Sequence, residues 1–237
     1  MTVPFLDLSR QHAEISAEIG EAVGRVLRSQ RFILGPEVEQ LEKEVAALCE
    51  AGYGVGVASG TDALMLALQA IGVGPGDSVL TTPFSFFATA SSIARLGARP
   101  IFADIDEVTF NLDPASVERH AQRGVKAVMP VHIFGQCAEV ERIAQAARAG
   151  AGSDLAIVED AAQAIGAARH GRQAGSLGAA GCFSFYPTKN LGCAGDGGMV
   201  VTGDEEIARR VRRLRAHGDV GRYDHRDLGM NSRLDTI

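Results

Sequence analysis

The chain has 237 residues, 46% of them hydrophobic and 22% charged, with no tryptophan and a formal net charge of −6. That length supports one large domain, or at most two, with a conventional core, and the acidic balance excludes a general nucleic-acid binder, which needs a basic surface. Cys49, Cys137, Cys182 and Cys193 show no metal-site or disulfide spacing, "MTVPFLDLSRQ" has Asp7 and no apolar signal core, and no stretch approaches the ~18 apolar residues of a membrane span. The expectation is a reduced, soluble, cytoplasmic protein that binds neither metal nor membrane.

Residues 12–29 and 37–50 repeat apolar positions at three and four and read as helices. "YGVGVAS" (53–59) is strand-like, and a helix over 61–71 opens straight after Gly60. Next come strand 77–82, helix 86–97, strand 99–104, helix 114–122, strand 125–131, helix 139–149 and strand 155–160. Short apolar strands separated by helices of this kind pair in parallel, with helices on both faces. Beyond 160 the rhythm changes: strands 180–187 and 197–203 are joined by a loop, so the sheet should be mixed. The last helix, "EEIARRVRRLRAHG", buries Ile207, Val211 and Leu214 and reads as exposing its arginine run, Arg209 to Arg215. The fold class is α/β, in three α/β/α layers around a mixed, mostly parallel sheet.

In such sheets ligands bind at the carboxyl ends of the strands. The residues that should converge there are Ser59-Gly60-Thr61, Pro83 to Phe86, Asp104, His132, Asp160 and the loop holding Lys189. The start of the helix at Gly60-Thr61 offers free N–H groups to an anion such as phosphate, although Ser and Thr are equally ordinary helix caps. No GK[ST] follows, and there is no GxGxxG. In "VED", Asp160 is either a cap or a buried carboxylate that meets a cation, and Gln163, three residues on, would share a helical face with it. His132 reads as a packed, hydrogen-bonded histidine. Cys193 reads as a small spacer, and His217-Gly218 as a turn.

The lysine is the informative residue. Twenty arginines accompany only three lysines, Lys43, Lys126 and Lys189, and lysine alone of the two can lose its proton in a protein. In "SFYPTKNLGCAGDGG" (184–198) it stands between a strand and a glycine-dense loop. A phosphate cup, a buried carboxylate, an aromatic after a strand and such a lysine form the constellation that pyridoxal 5′-phosphate needs.

These residues also carry a resemblance. "VPFLDLSRQ", "RFILGPEVEQLEKEVA", "GVASGTDALMLAL", "GPGDSVLTTPFSFFATA", "VHIFGQ", "VEDAAQAIGA", "SFYPTKNLGCAGDGGMVVT" and "GMNSRLDTI" resemble the DegT/StrS-type nucleotide-sugar aminotransferases of the aspartate aminotransferase fold type, in order and over the whole chain. The resemblance implies that Lys189 forms the Schiff base and shuttles a proton. It implies that Asp160 faces the pyridinium nitrogen, and that Gln163 bonds the ring hydroxyl. The phosphate would be held by Gly60, Thr61 and Ser184. Phe86 would stack on the ring, where several relatives carry Trp or Tyr, and Asn231 would reach the phosphate of a neighbouring subunit in a homodimer. It further implies an N-terminal arm and helix over 1–35 and a large cofactor-binding domain over 36–237. A small C-terminal domain is expected to be absent from this chain, since "LDTI" falls inside a stretch that relatives continue.

The implied reaction moves an amino group from an amino acid, glutamate in most relatives, to a nucleotide-linked keto-sugar. A keto-cyclitol acceptor and a non-catalytic regulatory or partner-binding member of the fold remain alternatives. Lys189 argues against the dehydratase branch, which has histidine there, and "VASGTDAL" lacks the glycine fingerprint of a nicotinamide enzyme.

Overall fold

The structure, a computed structural model, describes residues 3–237. Helix α1 (Ser9–Ser29) is exposed along most of its length, with only Val26 buried. Helix α2 (Pro36–Leu48) begins with proline at its first turn, where a missing N–H costs nothing, and carries Glu37 and Glu39 on the favourable end of its dipole. Strand β1 (Tyr53–Val57) stops two residues short of the expected 59, because Ser59 leaves the sheet to cap helix α3 (Gly60–Ala70) by accepting the Asp62 N–H. There follow β2 (Ser78–Thr81), α4 (Phe87–Arg95), β3 (Arg99–Phe102), α5 (Pro114–His120), β4 (Val125–Val128), α6 (Val140–Ala151) and β5 (Ala156–Asp160). A short hairpin of β6 (Ala168–Arg169) and β7 (Arg172–Gln173) precedes β8 (Ala180–Ser184), β9 (Gly198–Thr202) and α7 (Glu205–Leu214). No pattern in the sequence marks that hairpin.

Seven strands form one sheet in the order β1-β9-β8-β5-β4-β2-β3. The pairs β8–β5, β5–β4, β4–β2 and β2–β3 are parallel, while β9 runs antiparallel to both β1 and β8. The sheet is therefore mixed and mostly parallel, with the reversal where the sequence replaces a helix by the lysine loop. Two hydrophobic clusters cover its faces. One gathers around Leu80, Ile143, Phe183 and Met199 beneath α2, α5 and α6. The other gathers around Val57, Ile93, Met129 and the fully buried Leu66 and Leu68 of α3. Helix α3 is apolar on nearly every side because it lies between the sheet and α4 and α7. Each fully buried leucine there contributes about 1.5–3 kcal/mol relative to exposure.

The arginine run departs from expectation at one end. Arg209 is exposed and paired with Glu206, but Arg215 is only 8% exposed. Its Nη1 donates to Glu42 Oε1 at 2.6 Å and to the Gly56 carbonyl at 2.7 Å, and the same carboxylate oxygen accepts the Gly56 N–H. Arg215 thus bolts α7 and α2 to β1. Arg212 lies over the Tyr53 ring at 5.8 Å. All four cysteines are free thiols, and burial pushes Cys49 up to about 12, so it is a packing residue rather than a nucleophile. Among the described residues no helix is long and apolar enough to cross a membrane, and no cluster of potential metal ligands occurs.

Candidate active site

The carboxyl ends of the parallel strands enclose a cleft of about 760 Å³, a size ordinary for a cofactor or small ligand. Seven of the eight residues singled out in the sequence line it: Gly60, Thr61, Phe86, Asp160, Gln163, Ser184 and Lys189. The eighth, Asn231, is exposed, and its Oδ1 accepts from Arg233 Nε; it does not reach this chain's own cleft. Asp104 does not reach it either. It follows β3, the edge strand farthest from β8, and its N–H is taken by the Ser116 hydroxyl.

At one end of the cleft, Gly60 and Thr61 open α3, where the first backbone N–H groups have no acceptor within the helix. Glycine is required at 60 by a close approach: a Cβ there would stand 2.5 Å from Ser184 Cβ and 3.0 Å from its hydroxyl. Two free amides and a serine hydroxyl therefore meet at a helix start, which is a cradle for a dianion. Ser59 takes the capping role, and the backbone N–H groups of Gly60 and Thr61 keep no acceptor within the helix.

Asp160 occupies the floor. It ends β5 and is 5% exposed. Its Oδ2 accepts the Thr89 hydroxyl at 2.8 Å, while Oδ1 receives only a long 3.3 Å bond from the Ala162 N–H. Burial pushes this carboxyl above its ordinary value, against the lowering effect of the Thr89 bond, the Ala162 N–H and the charge of Lys189. Gln163 does not share a helix with it. A turn closed by the Ala164 N–H on the Ala161 carbonyl follows the strand, and it swings Gln163 into the cleft. There Gln163 Oε1 accepts the N–H of Phe134 at 3.2 Å, which leaves the amide nitrogen as the free donor.

Lys189 is half-buried, and burial lowers its pKa while the charge of Asp160 opposes that. Among the described residues it forms no ion pair. Phe86, the residue before α4, is 77% exposed at the rim.

Glu159, Asp160's neighbour, points the other way and is wholly buried. Its Oε1 accepts the N–H groups of Leu177 and Gly178, and its Oε2 accepts the Gly175 N–H and His132 Nε2, all at 2.7–2.8 Å. His132 Nδ1 accepts the Ala138 N–H, so the ring proton sits on Nε2 and is directed at the carboxylate. His132 is the packed, hydrogen-bonded histidine expected, although one face of it borders the cleft.

Sequence reasoning missed three contributors. Thr89 is one. Ser232 is another: fully buried beside Asn231, it donates to Asp62 Oδ2 at 2.7 Å and accepts the Ala58 N–H, bracing the start of α3. The third is the partnership of Phe84, which lies in the expected Pro83–Phe86 stretch, with Phe110 at 5.7 Å and Phe134 at 6.4 Å. Those rings come from three separate loops, so no local pattern announces them.

The sequence model of the DegT/DnrJ/EryC1/StrS aminotransferase family matches residues 13–237. The chain belongs to this family. It is 53% identical, over its whole length, to the "Pleiotropic regulatory protein" of Geobacillus stearothermophilus. It is 44% identical over 99% of its length to the UDP-2-acetamido-2-deoxy-3-oxo-D-glucuronate aminotransferase of Pseudomonas aeruginosa, and 47% identical over 99% to the dTDP-3-amino-3,4,6-trideoxy-α-D-glucose transaminase of Streptomyces venezuelae. The chain spans 63%, 65% and 61% of the lengths of these three proteins. Among solved structures it superposes on S. venezuelae DesV in complex with a ketimine intermediate (TM-score 0.93, 47% identity, 99% of this chain and 62% of that one). It also superposes on NtdA of Bacillus subtilis with bound cofactor PMP (TM-score 0.90, 33% identity, 99% and 53%). The DegT/DnrJ/EryC1/StrS aminotransferases use pyridoxal 5′-phosphate. The cleft fits it by its own chemistry: a glycine-made anion cradle, a buried carboxylate with an underused oxygen, and a lysine whose charge is disfavoured.

Proposed function

We propose that the chain carries the cofactor-binding part of an enzyme that transfers an amino group from an amino acid, glutamate by family analogy, to a nucleotide-linked keto-sugar. The carrying observation is that Lys189, Asp160 and the Gly60–Ser184 cradle face one another across a single cleft. Pyridoxal phosphate, when bound, supplies the electron sink that lets a carbon–hydrogen bond beside nitrogen ionise.

The chain's own residues supply the rest. Gly60 and Thr61 N–H groups and the Ser184 hydroxyl hold the phosphate. Asp160 faces the ring nitrogen and keeps its proton there, since a carboxylate at the floor stabilises that positive charge. Gln163 donates its amide N–H to the ring oxygen, and Phe86 covers the open ring face. Lys189 is the nucleophile and then the proton carrier, roles that require an amine able to lose its charge. The helix over 9–29 belongs to an N-terminal arm, residues 36–237 form the large domain, and a small domain completes the enzyme. Asn231, which does not line its own cleft, serves the phosphate of a second copy in a homodimer.

The acceptor carbon is C3. Both relatives described above as aminotransferases act, by name, on sugars whose oxo or amino group is at position 3. A second reading follows from the 53% identical relative called a regulatory protein: a member that binds cofactor or sugar without turnover. Supplying the protein with pyridoxal phosphate, glutamate and a dTDP- or UDP-linked 3-keto-sugar separates the two. Appearance of 2-oxoglutarate with the amine at C3 by NMR supports the enzyme. A stable complex without 2-oxoglutarate supports the regulator, and reaction only with a 4-keto-sugar or a keto-cyclitol overturns the C3 assignment.

A further inference from the structure

Asp160 is held from one side by an unusual partner. Thr89, 1% exposed on α4, places its hydroxyl 2.8 Å from Asp160 Oδ2, and the Ser85 hydroxyl lies 2.7 Å from the same threonine oxygen. A hydroxyl has one proton, and an ionised carboxylate can only accept. Thr89 must therefore donate to Asp160, and Ser85 must donate to Thr89. The chain of bonds has one direction, Ser85 to Thr89 to Asp160, and it starts in the cleft, where Ser85 is part of the wall.

The threonine is well suited to fix geometry. Its branched side chain has few rotamers in a helix, its N–H bonds the Phe86 carbonyl, and its own carbonyl accepts the Ser92 hydroxyl. Asp160's main chain is equally fixed, its N–H on the Pro130 carbonyl and its carbonyl on the His132 N–H. With both ends of the contact immobile, the carboxylate plane is set. Oδ2 is engaged, and Oδ1, with only the 3.3 Å bond to Ala162, keeps its acceptor capacity.

Resting on the cofactor reading above, we propose that Thr89 is a positioning residue for Asp160. Its hydroxyl, polarised by Ser85, engages Oδ2, keeps the buried carboxylate ionised and presents Oδ1 to the ring nitrogen of the bound cofactor. The other charged or titratable groups facing Asp160 are Lys189 from the loop after β8, His132 from the loop after β4, and Cys182 on the adjacent strand β8. None of them contacts a carboxylate oxygen of Asp160 within hydrogen-bond distance. The hydroxyl pair is the only side-chain support among the described residues.

Thr89→Val keeps the shape and removes the donor, whereas Thr89→Ser keeps the donor and removes a methyl. The readout is the infrared carbonyl band of the protonated Asp160 carboxyl in the cofactor-free protein, titrated with pH and assigned with Asp160→Asn. The expected result is a rise of about one pH unit in that titration for Thr89→Val, near-complete restoration in Thr89→Ser, and a smaller rise in Ser85→Ala. Pyridoxal phosphate should also bind roughly tenfold more weakly to Thr89→Val than to the parent, again with recovery in Thr89→Ser. A titration unchanged in Thr89→Val, or equally shifted in Thr89→Ser, overturns the proposal. If Thr89→Val does not fold, Ser85→Ala decides, and an unshifted band there overturns it. The infrared titration needs no cofactor, so failure of the parent protein to bind pyridoxal phosphate would refute the functional reading without touching this result.

Discussion

Replacing Glu159 by glutamine changes one atom at the centre of the fold and leaves the volume intact, so no cavity contributes to its effect. Four donors point at the native carboxylate: the N–H groups of Gly175, Leu177 and Gly178, and His132 Nε2. The amide has one oxygen. Whichever way it turns, two of the four donors face an NH₂ group and lose their acceptor, in a place where no water reaches. An unsatisfied buried donor costs about 1–3 kcal/mol, and relief from burying a charge offsets part of the total. The expected net loss is about 2–4 kcal/mol, a large share of the roughly 5–15 kcal/mol that holds a domain folded. His132 cannot rescue the variant by moving its proton to Nδ1, because the Ala138 N–H already points there. Urea unfolding should show a lower midpoint with an unchanged slope, and the melting temperature should fall by about 5–15 °C. A loss below about 0.5 kcal/mol would refute the reasoning that this carboxylate, rather than surrounding apolar packing, ties β5 to the 175–178 turn and to His132 after β4.

Gly60→Ala should weaken pyridoxal phosphate binding about tenfold or more, because its Cβ would sit 2.5 Å from Ser184 Cβ and push the cradle open; fluorescence titration reading an unchanged affinity would contradict this. Asp160→Asn should stabilise the cofactor-free protein at neutral pH. Burial raises the Asp160 pKa, so the native state resists ionisation, and the wild type loses stability as pH rises through that raised value. Melting curves of the two proteins should converge in acid and separate toward neutrality, and a separation independent of pH would be the contrary result. The pH dependence of adduct formation at Lys189 should have its midpoint below the ordinary 10.5, since burial disfavours the charged amine. Asp160→Asn should take that midpoint lower still by removing the charge that favours the ammonium, whereas a rise in Asp160→Asn would be incompatible with the site geometry.

Much of this architecture was legible because it is local. Short apolar strands between amphipathic helices gave a parallel sheet, the missing helix between 187 and 197 gave its reversal at β9, and the rule of strand ends gathered Gly60, Phe86, Asp160 and Lys189 in one place. Strands ended earlier in the structure than in the sequence, as at Ser59 and Asp104, because the polar groups there serve a helix cap and a loop instead of the ladder. Asp104 was misplaced for another reason: strand order is a long-range property, and nothing near residue 104 says that β3 is the edge. Arg215 was hidden in a run of similar residues, since only the three-dimensional approach of Glu42 distinguishes it from Arg209. Thr89 and Ser232 look like ordinary small polar residues until the carboxylates they bond, Asp160 and Asp62, are placed beside them.

The central claim is that Lys189 is the amine at the heart of the cleft. Incubating the protein with pyridoxal phosphate, reducing with borohydride and mapping the peptides tests it directly. The account expects a pyridoxyl group on Lys189 at near-stoichiometric yield, and none in Lys189→Arg, whose guanidinium keeps its charge and cannot attack an aldehyde. Label spread over Lys43 and Lys126, or unchanged labelling in Lys189→Arg, would contradict it.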